Sequence, residues 1–236
     1  MLLDLAYPLA LSLLMIFGEH IHIKFKKKRI LENKLFSFAS GVLITFLFIN
    51  LLPDLFLETN AWFMYIYVMI GFTTFLLIHE LLYKYQPDKK KLKFELKEAH
   101  TLVGFIFHFI IGIIMMELLN GKGMIENLII FIPMGLHVTF SSLASHHIAF
   151  TKNYKSSSFD KILEILVVIS PLLGAFFALL LDITAAMTYA LYGVVGGIML
   201  FIVIREFIPK PKEAQPIFFI AGQFFFFMFG LLRFIK

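Results

Sequence analysis

Residues 41–54 read GVLITFLFINLLPD, and residues 197–210 read GIMLFIVIREFIPK. In each stretch a glycine and a proline stand twelve positions apart and bracket a run of aliphatic and phenylalanine residues. Such a run reads as a helix in lipid, interrupted near its end by a residue that lacks a backbone N–H. Its recurrence in the two halves of the chain suggests an internal repeat of the kind that builds many membrane permeases.

The rest of the chain has the same character. Of 236 residues, 60% are hydrophobic and 30 are Phe, with a mean hydropathy of +0.88. That balance lies far outside the range of soluble domains. Charge-poor runs of spanning length recur at about residues 2–19, 35–57, 61–82, 100–119, 126–148, 162–181, 183–204 and 214–233, which predicts eight transmembrane helices. The first run is expected to stay in the chain, because no basic residue precedes it and no small-residue cleavage site follows before Lys24.

Lys and Arg in the seven connections number six, none, six, one, three, none and three. Basic loops stay in the cytoplasm, so this alternation predicts that both termini are extracytoplasmic. The two copies of the opening stretch would then run in opposite directions. The expected fold class is therefore an all-α integral membrane protein, one transmembrane domain over residues 1–236. Its helices would follow a 3+2+3 inverted-repeat arrangement, the first three repeated as the last three around a central pair. The longest connection, about residues 83–99, is too short to bury a core of its own.

Several functions are excluded or weakened. With no cysteine, disulfides and thiolate metal sites are ruled out, so a metal would need His, carboxylate, amide or hydroxyl ligands. The run KKKLKFELKE at residues 89–98 has the sign of the topology signal and reads as a solvated connection, with anionic lipid as the alternative partner and nucleic acid set aside. The tetrapeptide HELL at residues 79–82 would need its second protease histidine at the position of Tyr83, so no enzyme is expected.

Attention falls on the central pair. At 1.5 Å per residue His108 lies roughly 12 Å into its helix and His137 roughly 15 Å into the next, the same depth from opposite directions. Intramembrane ionisable residues are costly and are candidates for function, although a pair of neutral histidines hydrogen-bonded between helices is the structural alternative. Ser141 follows His137 at i+4 and Ala144 at i+7, with Ser142 and Ser145 alongside. On the facing helix Gly104, His108 and Gly112 share a stripe, and both sets also suit a small-residue packing seam. A second polar group collects at helix ends: Glu19, His20, His22, His79, Glu80, His100, His146 and His147. These are competent ligands for zinc-like ions and would suit a release region.

Taken together, these segments resemble the ZIP (zinc- and iron-regulated-transporter-like) family of divalent-metal transporters. FASGVLITFLFINLLPDLF resembles that family's second helix, with Asn50 where its histidine is usual and with Leu51, Leu52, Pro53 and Asp54 matching. GFTTFLLIHELLYKY is similar to the third helix, with His79 in place of an acidic residue, and REFIP is similar to the end of the seventh. The resemblance covers essentially the whole chain, but the metal motifs depart from it. Where the family's fourth helix carries His-Asn-x-x-Asp-Gly, this chain has HFIIGI from His108; where the fifth carries His-x-x-Pro-Glu-Gly, it has HVTFSS from His137. Only the histidines survive.

The resemblance implies transport of a divalent metal toward the cytoplasm, zinc first, with iron and manganese as alternatives, and no prosthetic group. His108, His137 and Ser141 are the implied ligands, and Asn50, Asp54, His79, Glu80, His146 and His147 the implied pathway. Partners would be the metal, the lipid of the plasma (inner) membrane and, as an open option, a second copy of the chain. A dication in a low-dielectric site needs compensating charge, which imidazoles and hydroxyls do not supply. Two other readings stay open: a ZIP-like fold kept for a regulatory or scaffold role without transport, and a haem held between His108 and His137.

Overall fold

Proline decides where the helices of the repeated stretch lose their regular pitch. Pro53 offers no N–H to the carbonyl four residues back, and its ring crowds that carbonyl. Just before it the helix widens into a π turn at Leu47–Leu51, with the Leu52 N–H donating to the Leu47 carbonyl. A second π turn, Val203–Phe207, ends the same number of residues before Pro209 and starts the same number after Gly197 as the first does after Gly41. The same local chemistry thus acts twice, at matching positions.

The computed structural model describes residues 5–25, 29–58, 61–119, 123–149, 158–207 and 213–232. Among them are eight helices: α1 (Ala6–Phe25), α2 (Arg29–Phe46, continued through the π turn into Leu52–Glu58), α3 (Ala61–Tyr85), α4 (Lys89–Leu119), α5 (Met124–Ala149), α6 (Ser158–Leu180), α7 (Ala185–Ile202, continued by its π turn) and α8 (Pro216–Leu231). Their starts follow ordinary rules. Thr184 caps α7 by accepting from the Met187 N–H at 3.3 Å, and Pro216 opens α8, where its missing N–H costs nothing.

The expectation of eight transmembrane helices is not met. Among the described residues five helices are long and apolar enough to cross a membrane: Ile30–Leu57, Trp62–Tyr85, Glu98–Leu118, Ile162–Leu180 and Ala185–Arg205. The apolar stretches of the other three, Ala6–Gly18, Met124–Phe140 and Pro216–Leu231, are shorter. A spanning helix needs about 18 to 20 consecutive apolar residues, and these described stretches fall below that. The 3+2+3 plan of eight spans, and the placement of both termini outside, rested on that count and fall with it. The chain is an all-α, multi-pass membrane protein.

Burial separates inner from outer spans. The windows in α2, α7 and α4 are 67%, 61% and 56% buried, against 28% in α6 and 11% in α3. Large apolar side chains such as Trp62, Phe63 and Met69 on α3 and Ile217, Ile220 and Phe224 on α8 face outward. That surface suits lipid.

Three reciprocal glycine contacts join the layers. A Cβ on Gly41 of α2 would strike the Phe219 carbonyl of α8, and one on Gly222 of α8 would strike the Phe38 carbonyl of α2. Gly71 of α3 and Gly197 of α7 are related in the same way through the carbonyls of Val194 and Val68, as are Gly112 of α4 and Gly174 of α6 through those of Pro171 and Phe109. Backbone meets backbone at each crossing. Replacing Gly197 by Leu should therefore lower stability by about 3 kcal/mol or more. Gly123→Ala, with nothing within 4 Å of the added carbon, should stay within about 0.5 kcal/mol of the parent. Thermal unfolding in detergent measures both.

Candidate functional site

Hydroxyls inside the bundle bond back to their own helices. Thr45 donates to the Gly41 carbonyl at 2.8 Å, Thr139 to Gly135 at 2.7 Å, Ser170 to Val167 at 2.6 Å and Thr188 to Thr184 at 3.3 Å. A hydroxyl satisfied in this way tolerates lipid or a dry core. Imidazole is too large and too rigid to do the same.

His108 stands at the centre of the Glu98–Leu118 span of α4, and His137 near the middle of α5. Their relative exposures are 2% and 0%. The two rings meet, with centroids 6.1 Å apart and planes inclined by 53°. Neither ring nitrogen of His108 has a hydrogen-bond partner among the described residues. The matching depths read from the sequence thus become a contact.

Phe107 is the neighbour that sequence reading missed. Its ring is edge-on to both imidazoles, 5.5 Å from His108 and 4.7 Å from His137, and it is itself fully buried. These distances put its centre roughly 4 Å from the midpoint between the imidazoles, close to the plane that a haem bridging the two would occupy. A macrocycle there would pass through the phenyl ring. No feature of a single phenylalanine among thirty singles this one out in the sequence.

The spacing does suit one small ion. With metal–nitrogen bonds of about 2.0–2.1 Å, two imidazole centroids sharing an ion lie about 5 Å apart at a tetrahedral angle and about 6.4 Å apart when linear. The observed 6.1 Å falls toward the linear limit. Among the described residues no group of three His, Asp or Glu side chains could hold a metal. On α4 and α5 the nearest carboxylates are Glu117, Glu98 and Glu126, nine to eleven residues from the histidines, or roughly 13 Å or more along the axes.

The remaining expected residues are scattered. Gly112 does not face the histidine gap as a ligand stripe would, because its missing Cβ makes room for the Pro171 carbonyl. Gly104 leaves open space, with Cε1 of His108 4.0 Å from where its Cβ would be. Asn50 lies in the π turn of α2, 4% exposed, its Oδ1 without a hydrogen-bond partner among the described residues and 4.0 Å from the Cβ position of Gly230. Asp54 is half-buried one turn further on. His79 and Glu80, on α3, meet Arg205 from the π turn of α7: its Nη2 donates to Glu80 Oε1 at 3.4 Å and lies 3.5 Å from His79 Nδ1. The Arg205 guanidinium thus stands beside two residues expected on the pathway. Both partners are about half exposed, so the ion pair adds little stability. The side chains of Ser141, His146 and His147 lie outside the described residues, as do those of Ser142, Ser145, Glu19, His20 and His22.

No family model matches the chain, and no curated protein and no solved structure is similar enough to it to count as a match.

An unpartnered buried polar group costs about 1–3 kcal/mol. His108→Leu, which removes such a group at similar volume, is expected to raise stability by about 1–2 kcal/mol. Thermal unfolding of the purified variant checks this, and a loss of similar size would mean that the imidazole has a structural partner.

Proposed function

We propose that the chain is a metal-ion permease of the plasma (inner) membrane, on the strength of the resemblance of its second, third and seventh helices to those of ZIP-like transporters. The ion sits between His108 and His137, halfway along α4 and α5, and moves toward the cytoplasm by alternating access. The observation that carries this reading is the meeting of the two imidazoles, ring centroids 6.1 Å apart in a fully buried position. Two imidazoles that meet in a buried position offer nitrogen ligands of the kind a transition metal takes. The two π turns support the transport half of the reading, since such turns interrupt helices where functional motion and binding concentrate.

The resemblance implies a first-row dication, zinc first. The binding is then single-ion and weak, because Gly112 and Ser141 occupy the positions where the resemblance calls for carboxylates. A second reading is favoured by Gly112 itself: its role in the α4–α6 crossing leaves no room for an acidic side chain there, so the fold is also suited to a scaffold role without transport.

Uptake separates the two. Cells or proteoliposomes carrying the protein are expected to accumulate at least one ion from a panel of zinc, iron, manganese and copper. The rate should fall by about tenfold or more in His108→Asn and His137→Asn. No uptake of any metal above the vector control, from protein shown to be folded, selects the scaffold reading.

A further inference from the structure

We infer that the ion taken by the His108–His137 gap is a soft monovalent cation, cuprous copper, for which silver(I) is the redox-inert counterpart. The inference rests on the permease reading only in taking that gap as the ion's seat. Three independent features select the charge and the softness of the guest.

The first is geometry. Two imidazoles at 6.1 Å sit close to the spacing of a near-linear, two-nitrogen bridge. Zinc requires four ligands in a closed site, or three and an open position. Monovalent d10 ions are content with two donors in line. The pair as built is complete for one class of ion and half a site for the other.

The second is charge. The cost of desolvating an ion grows with the square of its charge, so a dication pays about four times what a monovalent ion pays on entering the same apolar surroundings. Family-like sites offset that cost with carboxylates, and α4 and α5 have none within eight residues of either histidine. Phe107, edge-on to both rings, adds no charge.

The third is the neighbouring sulfur. Met134 precedes His137 by three residues and Met115 follows His108 by seven, so each shares a helix face with its histidine. The chain enters α4 and leaves α5 at one end and joins them at the other, so both methionines lie on the same side of the pair, toward the 119–124 connection. Both are buried at 1% exposure in the same apolar core as Phe107. Thioether sulfur favours cuprous copper over zinc and is an ordinary filler for other guests. A soft ion would find one sulfur about one turn from the imidazoles and a second about two turns away.

The test uses the full-length protein in detergent, anaerobic, with Cu(I) kept reduced and buffered by a competing chelator, with Ag(I) and Zn(II) in parallel. One Cu(I) or Ag(I) per chain is expected, with zinc binding weaker by at least tenfold, and X-ray absorption at the copper edge should show a low-coordinate nitrogen shell. His108→Asn should weaken Cu(I) binding about a hundredfold. Met134→Leu, which conserves volume and fold, should leave equilibrium binding within about threefold but slow Ag(I) uptake into proteoliposomes. Zinc bound at the histidines as tightly as Cu(I) overturns the inference and leaves the permease reading standing. Binding of no ion in a manner that depends on His108 overturns both. Cu(I) bound equally well by folded His108→Asn protein places copper elsewhere and also overturns the inference.

Discussion

The bundle depends on backbone meeting backbone at three glycine crossings, α2 with α8, α3 with α7 and α4 with α6. Lipid tails are as apolar as leucine, so helices gain nothing from hiding apolar side chains against one another and must hold together by close packing. Reciprocity makes each crossing specific: a glycine on either helix receives a carbonyl from the other, so neither helix can rotate or slide without losing one of the two fits. The α4–α6 crossing has the most direct consequence for function. His108 precedes Gly112 by one turn, which places it roughly 40° round the helix from the face pressed on α6. With that face fixed, the imidazole is aimed at the edge of the contact, where α5 presents His137.

Against this packing the treatment of polar groups is informative. Thr45, Thr139 and Ser170 close on their own helix carbonyls, whereas the buried Ser12 hydroxyl has no partner among the described residues. His108 and Asn50 break the pattern, each buried with a polar atom that the described residues do not satisfy. A dry interior makes such groups expensive and raises the strength of whatever they finally bind. The histidine has a second imidazole opposite it. Asn50 has only the space beside Gly230, which is why the site is placed at the former.

Much of this could be read from the residues, and the parts that could not have physical reasons. The depth of His108 and His137 follows from counting residues at a fixed rise, so their meeting was foreseeable once they were put on adjacent helices. The number of crossings was not, because counting apolar runs from charge to charge predicts eight, whereas five of the described helices are long and apolar enough to cross. Gly112 was legible as a small residue but not as half of a reciprocal crossing, since the partner carbonyl, that of Pro171, is 59 residues away in α6. Arg205 carries no sequence signal linking it to His79 and Glu80. Only the packing of α3 on α7 brings the three together, and it puts a guanidinium beside two residues expected on the pathway.

The paired π turns connect this packing to motion. In α2 and in α7 the glycine of the crossing lies ahead of the turn and the proline lies behind it, so each helix has a part clamped to its neighbour and a part released from regular hydrogen bonding. The π turns carry Asn50 in one case and Arg205 in the other. The contact between His108 and His137 is therefore flanked by two inner helices whose regular pitch is interrupted at one point beyond their crossings. The α4–α6 crossing that aims His108 involves neither π turn, so the packing around the histidine pair and the two interruptions are carried by different helices.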